Sequence, residues 1–153
     1  MIHILAIGKM RHAAERALFD RYAARIIPKL QLIEIDDAKG SPQEIKKRET
    51  QALLKALPDK ALVVAMDEGG KAYNSLSFSE QFQKWQEQSR PICFLIGGSE
   101  GLDNAAIQRS EAVFSLGNLT WPHMLARILL VEQIYRAQSI IKGHPYHRKG
   151  RPV

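Results

Sequence analysis

Residues 92–101 read ICFLIGGSEG, five apolar residues running straight into a glycine-rich turn. A run this short, with no polar alternation, fits a strand buried on both faces. Residues 61–66, ALVVAM, repeat the pattern and are closed by Asp67-Glu68-Gly69-Gly70. Residues 2–8 form a third apolar run, ending at Gly8; 30–35 and 112–116 supply two more. Helical stretches lie between them. Residues 10–27 carry Ala14, Leu18, Tyr22 and Ile26 at helical spacing, with Arg11, Arg16, Arg21 and Arg25 on another side. Ser41 caps a helix with Pro42 in its first turn, ending before Pro58. Ser77 or Ser79 caps a helix reaching 88, and 104–110 form a short one. Strand and helix therefore alternate through the chain. Alternation with unbroken apolar strands predicts one α/β domain, a mostly parallel sheet with helices on both faces.

The chain has 153 residues, enough for a sizeable core. With 45% hydrophobic and 25% charged residues, its composition is that of a globular protein and not of a disordered one. No run reaches the length of a membrane span, and 1–8 do not form a secretory leader. Cys93 is the single cysteine, which excludes an internal disulfide and is consistent with the cytoplasm. The net charge is +6, and Lys142, Arg148, Lys149 and Arg151 contribute four positive charges with no acid among them. A local excess of this kind suits a polyanion such as nucleic acid, or is simply solvated.

Residues 115–148, SLGNLTWPHMLARILLVEQIYRAQSIIKGHPYHR, hold the longest predicted helix. Pro122 fits its first turn, and Gly143 with Pro145 ends it. Met124, Ile128, Val131 and Tyr135 mark one face, but Leu125, Leu129, Leu130, Ile134, Ala137, Ile140 and Ile141 extend well around the rest. A one-sided surface helix has a narrower stripe. Cover on two sides is expected: the protein's own sheet and a second copy of the chain.

Ligands of parallel sheets bind beyond the carboxyl ends of the strands. Three loops meet that condition, after Met66, after Ile96 and after Leu116. Gly97 and Gly98 either serve a tight turn or let a ligand approach the backbone. No Gly-Lys-Ser/Thr follows, so this is not a phosphate loop, and the spacing is not the dinucleotide fingerprint. Glu100 would repel a phosphate, which leaves a nucleoside-like ligand. The loop 116–121 offers apolar walls and bare backbone groups, unless Trp121 packs in the core. Beside this pocket is expected a tail, 143–148, with two histidines, a tyrosine and an arginine. Those types suit base stacking, phosphate contact and proton handling. The two histidines lack the further ligands of a metal site, so no metal is expected.

Taken together, LIGGSEGL (95–102), LTWPHMLAR (119–127), EQIYRA (132–137), HPYHR (144–148) and the opening ILAIGK (4–9) make a specific set. In this order they resemble the bacterial RlmH family, over essentially the whole chain. That resemblance implies a SPOUT-class methyltransferase with a trefoil-knotted C-terminal region, acting as a homodimer. It implies S-adenosylmethionine as methyl donor. The implied substrate is N3 of a pseudouridine in helix 69 of 23S ribosomal RNA, within the assembled 70S ribosome.

Carried over residue by residue, the family's adenosylmethionine site corresponds to Met66, Gly97, Gly98, Leu116, Gly117, Asn118, Leu119, Thr120 and Trp121. Leucine is usual in the family where Met66 stands; both are apolar and unbranched at Cβ. The candidate catalytic residues are His144, Tyr146, His147 and Arg148. Arg148 or Lys142 suits anion contact, and His123 either lines the pocket or packs at the helix start. Residues 149–153 run beyond the family's usual end. Rival readings are a transfer-RNA methyltransferase of the same fold, a ribosome assembly factor without a cofactor, and a flavodoxin-like nucleotide-binding module.

Overall fold

The computed structural model describes residues 1–148; Lys149 and Arg151 of the basic tail lie outside the described residues. Five strands, β1 (Ile2–Ile7), β2 (Gln31–Ile35), β3 (Leu62–Ala72), β4 (Ile92–Ile96) and β5 (Ala112–Ser115), form one sheet in the order β2-β1-β4-β3-β5. Every pairing is parallel, from Ile2 beside Ile92 to Val64 beside Ala112. Between and after the strands run α1 (Ala13–Ala23), α2 (Pro42–Lys55), α3 (Ser75–Glu87), α4 (Asn104–Arg109) and α5 (His123–Lys142). The α/β architecture expected from the apolar runs is the one observed.

Period-two alternation divides the core. Ile2, Ile4 and Ala6 pack with Phe19, Phe78, Phe82 and Ile134, so α1, α3 and α5 cover one face. Leu5, Ile7 and Cys93 face the other way, against Leu53 of α2 and Ala106 of α4. Phe78 stacks on Phe114 with ring centroids 4.8 Å apart, and Trp85 meets Phe94 edge-on at 6.1 Å, fixing α3 to the sheet. Helix α5 packs against both α1 and α3.

The local signals act as their chemistry dictates. The Ser41 hydroxyl accepts from the Glu44 amide at 3.2 Å, ahead of Pro42. Gly143 closes α5 in the left-handed conformation, φ 72°. Three expectations need correction. Helix α1 begins at Ala13, and the face it buries carries Phe19; Ala14 and Leu18 are exposed. The cap of α3 is Asn74, whose side chain accepts from the Ser77 amide at 2.8 Å, and not Ser77 or Ser79. Strand β3 does not stop at Met66. Both Met66 and Lys71 pair with Phe114, so the acidic Gly-Gly segment is an irregularity within the strand. Gly70 permits it, since a Cβ there would lie 2.6 Å from the Val113 carbonyl carbon.

Candidate functional site

The irregular middle of β3 and the carboxyl ends of β4 and β5 open into a cleft of about 900 Å³. Its walls come from residues 66–69, 96–101 and 114–126, the three segments marked out by the sequence. Met66, Gly97, Gly98, Leu116, Gly117, Leu119, Thr120 and Trp121 all line it; Asn118 does not. Trp121 is half exposed and forms part of the wall, so it is not a core residue. His123 lines the cleft as well.

Each wall has a local cause. After β4 the chain folds back on itself, with the Gly101 amide donating to the Gly98 carbonyl at 3.0 Å. Gly97 passes so close beneath that a Cβ would sit 2.6 Å from the Gly101 carbonyl carbon. After β5 the Ser115 hydroxyl accepts from the Gly117 amide at 3.1 Å and donates to its carbonyl at 2.9 Å. Gly117 takes φ 113°, a region side chains disfavour. Among the described residues the lining carries Asp67, Glu68 and Glu100 and no lysine or arginine. A ligand with phosphates would be repelled there, whereas one with positive charge would be welcomed.

Buried polar residues support the cleft from behind, and sequence reasoning missed them. Glu49, in the middle of α2, accepts from the Ala38 amide at 3.0 Å. Its other oxygen lies buried beneath Gly98 without a partner. Neighbouring Thr50 accepts from the Asp103 amide at 2.9 Å, so α2 braces two loops at once. Arg127, 0% exposed, reaches from α5 into the sheet. It donates to Glu34 at 2.8 Å and to the carbonyls of Ile7 and Gly8 at 2.6 and 2.7 Å. Burial pulls its pKa below the usual value, with Glu34 opposing the shift. Nothing local in the sequence betrays that Arg127, the last residue of the 119–127 motif, points inward. Cys93 is buried, which pushes its thiol up to about 11 and leaves it a core residue.

The tail does not stand beside the cleft of its own chain. Helix α5 begins at the cleft, and its twenty residues carry the chain roughly 30 Å away. The tail then folds back only as far as Glu132. There Tyr146, His147 and Arg148 line a second hollow of about 450 Å³, with Ser75, Gln133 and Arg136. The expected juxtaposition fails because the first half of α5 stands between the cleft and this hollow, which share no lining residue. His144 is exposed, and its Nδ1 accepts from the Tyr146 amide at 3.2 Å. Tyr146 donates its hydroxyl to Glu132 at 2.7 Å, and Arg136 donates to the same carboxylate at 2.6 Å. Burial and the Glu132 charge together push the Tyr146 phenol well above its usual pKa. Arg25 lies over Tyr135 at 5.6 Å, and Tyr135 meets Tyr146 at 4.7 Å, so the end of α1 joins this cluster. Among the described residues no three His, Cys, Asp or Glu side chains are grouped to hold a metal, and no helix is long and apolar enough to cross a membrane.

An α/β sheet with a carboxylate-bearing, glycine-walled cleft agrees with what the chain resembles. Residues 1–147 match the family model described as "Predicted SPOUT methyltransferase". The chain belongs to the SPOUT methyltransferase family. A ribosomal RNA large subunit methyltransferase H from Gluconacetobacter diazotrophicus is 54% identical over 99% of this chain and 100% of that protein. The protein of the same name from Acidiphilium cryptum is 52% identical over 99% of this chain and 96% of its own length. Within the SPOUT family the chain falls among the ribosomal RNA large subunit methyltransferase H proteins. Among solved structures, the SpoU methyltransferase AviRb from Streptomyces viridochromogenes, crystallised with AdoMet, aligns with a TM-score of 0.48 and 15% identity. The alignment covers 89% of this chain and 57% of that one.

Proposed function

We propose that this chain, acting as a single SPOUT domain with a trefoil-knotted C-terminal region, methylates N3 of a pseudouridine in helix 69 of 23S ribosomal RNA. The methyl donor is S-adenosylmethionine, the substrate is the assembled 70S ribosome, and the place of action is the cytoplasm. The observation that carries the reading is the cleft, whose walls are bare glycine backbone, apolar side chains and three carboxylates, with no lysine or arginine among the described residues. Gly97 and Gly98 suit close approach by a nucleoside, Met66, Leu116 and Leu119 suit its flat faces, and the carboxylates favour a sulfonium over a phosphate ester. The names of the relatives supply the ribosomal RNA.

S-adenosylmethionine supplies an electrophilic methyl group when bound. The chain's own contribution is positioning in the cleft and, from the tail, hydrogen bonding at the acceptor. The target is an imide N–H, a weak nucleophile until its proton leaves. Donors to the flanking carbonyl oxygens stabilise the anion so formed. His144, His147 and Arg148 carry such donors, and Tyr146 anchors the segment that holds them. Because cleft and tail of one chain stand apart, the tail of one subunit completes the cleft of the other in a homodimer. The exposure of Leu119 (69%), Trp121 (40%) and Leu125 (39%) at the start of α5 gives that dimer an apolar surface to bury.

The test is incubation with labelled S-adenosylmethionine and either intact ribosomes or protein-free ribosomal RNA, both from cells lacking the activity. Label confined to a large-subunit pseudouridine, and appearing only with intact ribosomes, is the expected result. Label in protein-free RNA alone removes the ribosome from the proposal. Binding of S-adenosylmethionine without labelling of either overturns the substrate.

A further inference from the structure

Glu132 sits at the centre of the tail's anchorage. Its carboxylate accepts from Tyr146, from two nitrogens of Arg136 and from Gln133, which is itself held by the Ser75 hydroxyl at 2.9 Å. Arg136 therefore cannot swing freely: one edge of its guanidinium is fixed to Glu132, and its face lies 4.8 Å over the Tyr146 ring. The remaining nitrogen, Nη1, meets Nδ1 of His147 at 3.1 Å. A guanidinium has donors and no acceptor. Nδ1 of His147 must then be the accepting nitrogen, and the ring's single proton is on Nε2. The Tyr146 backbone amide, another group that can only donate, imposes the same arrangement on His144.

We propose that Arg136, clamped by Glu132, is a positioning residue that fixes His147 with its proton on Nε2, so that the tail presents a hydrogen-bond donor to the methyl acceptor and not a base. The proposal deepens the function proposed above, and its role for the acceptor rests on that reading. A ring whose Nδ1 lone pair is taken up by Arg136 has no free lone pair to accept the imide proton. It can donate Nε2–H to a carbonyl oxygen next to the reacting nitrogen, where negative charge collects when the proton leaves to solvent. Tyr146 is excluded from the same task, since its hydroxyl is committed to Glu132.

The first arm of the test needs no substrate. In full-length protein labelled with 15N in histidine, the His147 signals are assigned by their loss in His147→Gln. Long-range proton–nitrogen correlation is expected to give a pyridine-like Nδ1 and a pyrrole-like Nε2 at neutral pH. Arg136→Met is expected to release the ring into a mixture of tautomers, and Arg136→Lys to keep the wild-type pattern, because an ammonium still donates. A wild-type ring protonated on Nδ1, or on both nitrogens, overturns the proposal. The second arm is single-turnover methylation of ribosomes. His147→Ala and Arg136→Met are expected to fall about a hundredfold, in the range for loss of one donor to a developing oxyanion. His147→Gln, which retains an N–H at the same reach, is expected to recover at least about tenfold of that loss, as is Arg136→Lys relative to Arg136→Met. Equal loss in His147→Gln and His147→Ala would assign His147 as a base and overturn the proposal. Wild-type protein that labels no ribosome but keeps the predicted tautomer would instead sink the function reading and leave the clamp standing.

Discussion

Arg127 is fully buried. Its charge is balanced by Glu34 and absorbed by two strand-end carbonyls, and Glu34 also accepts from the Met10 amide at 2.7 Å. Arg127→Met would fit the space but leave that carboxylate and two carbonyls short of a donor. A loss of about 3 kcal/mol is expected, read as a lower midpoint in urea unfolding. His3 is the opposite case, a buried ring with neither nitrogen partnered. Burial, and secondarily the N-terminal charge, depress its pKa below 6.5. The unfolded chain then takes up a proton that the native one resists, so stability is complete above pH 6.5 and declines as pH falls below it. His3→Leu is expected to flatten that acid-side decline, seen as unfolding free energy measured against pH.

At the scale of elements, the turn after β4 decides the cleft. Gly97→Ala forces a Cβ against the Gly101 backbone, which cannot yield without opening the turn. Cofactor affinity is expected to fall about tenfold or more by calorimetry, equivalent to at least about 1.4 kcal/mol. The five strands and their alternation with helices were legible because an apolar run bounded by glycine has few other uses. The cleft loops were legible for a related reason, since a parallel sheet has one edge at which loops gather. Where several residues competed for one role, sequence was a weaker guide. Asn74, Ser77 and Ser79 can all cap a helix, and only the path of the chain out of β3 selects Asn74. Asp67 to Gly70 have the composition of a strand terminator, yet pairing with β5 resumes at Lys71. Glu49, Thr50 and Arg127 lie on helices whose polar residues mostly face water, and what sets these three apart is tertiary contact.

For the whole molecule, the separation of cleft and tail along α5 can be tested by mixing. Gly97→Ala, impaired in the cleft, and His147→Ala, impaired in the tail, are each expected to methylate poorly alone. If the proposed homodimer shares its sites between subunits, random pairing after co-unfolding and refolding makes half the dimers mixed with one intact composite site each, so about a quarter of wild-type activity should return. No recovery would mean that each tail serves its own chain. The sheet order has a further consequence, for how the protein is made. Strand β1 lies between β2 and the central β4, and its first paired residue, Ile2, meets Ile92. At translation rates this strand waits on the order of ten seconds before its neighbour emerges. Throughout that interval one of the most apolar segments of the nascent chain lacks half its hydrogen-bonding partners. Such an unpaired apolar edge is the feature that makes partly synthesised sheets prone to aggregate.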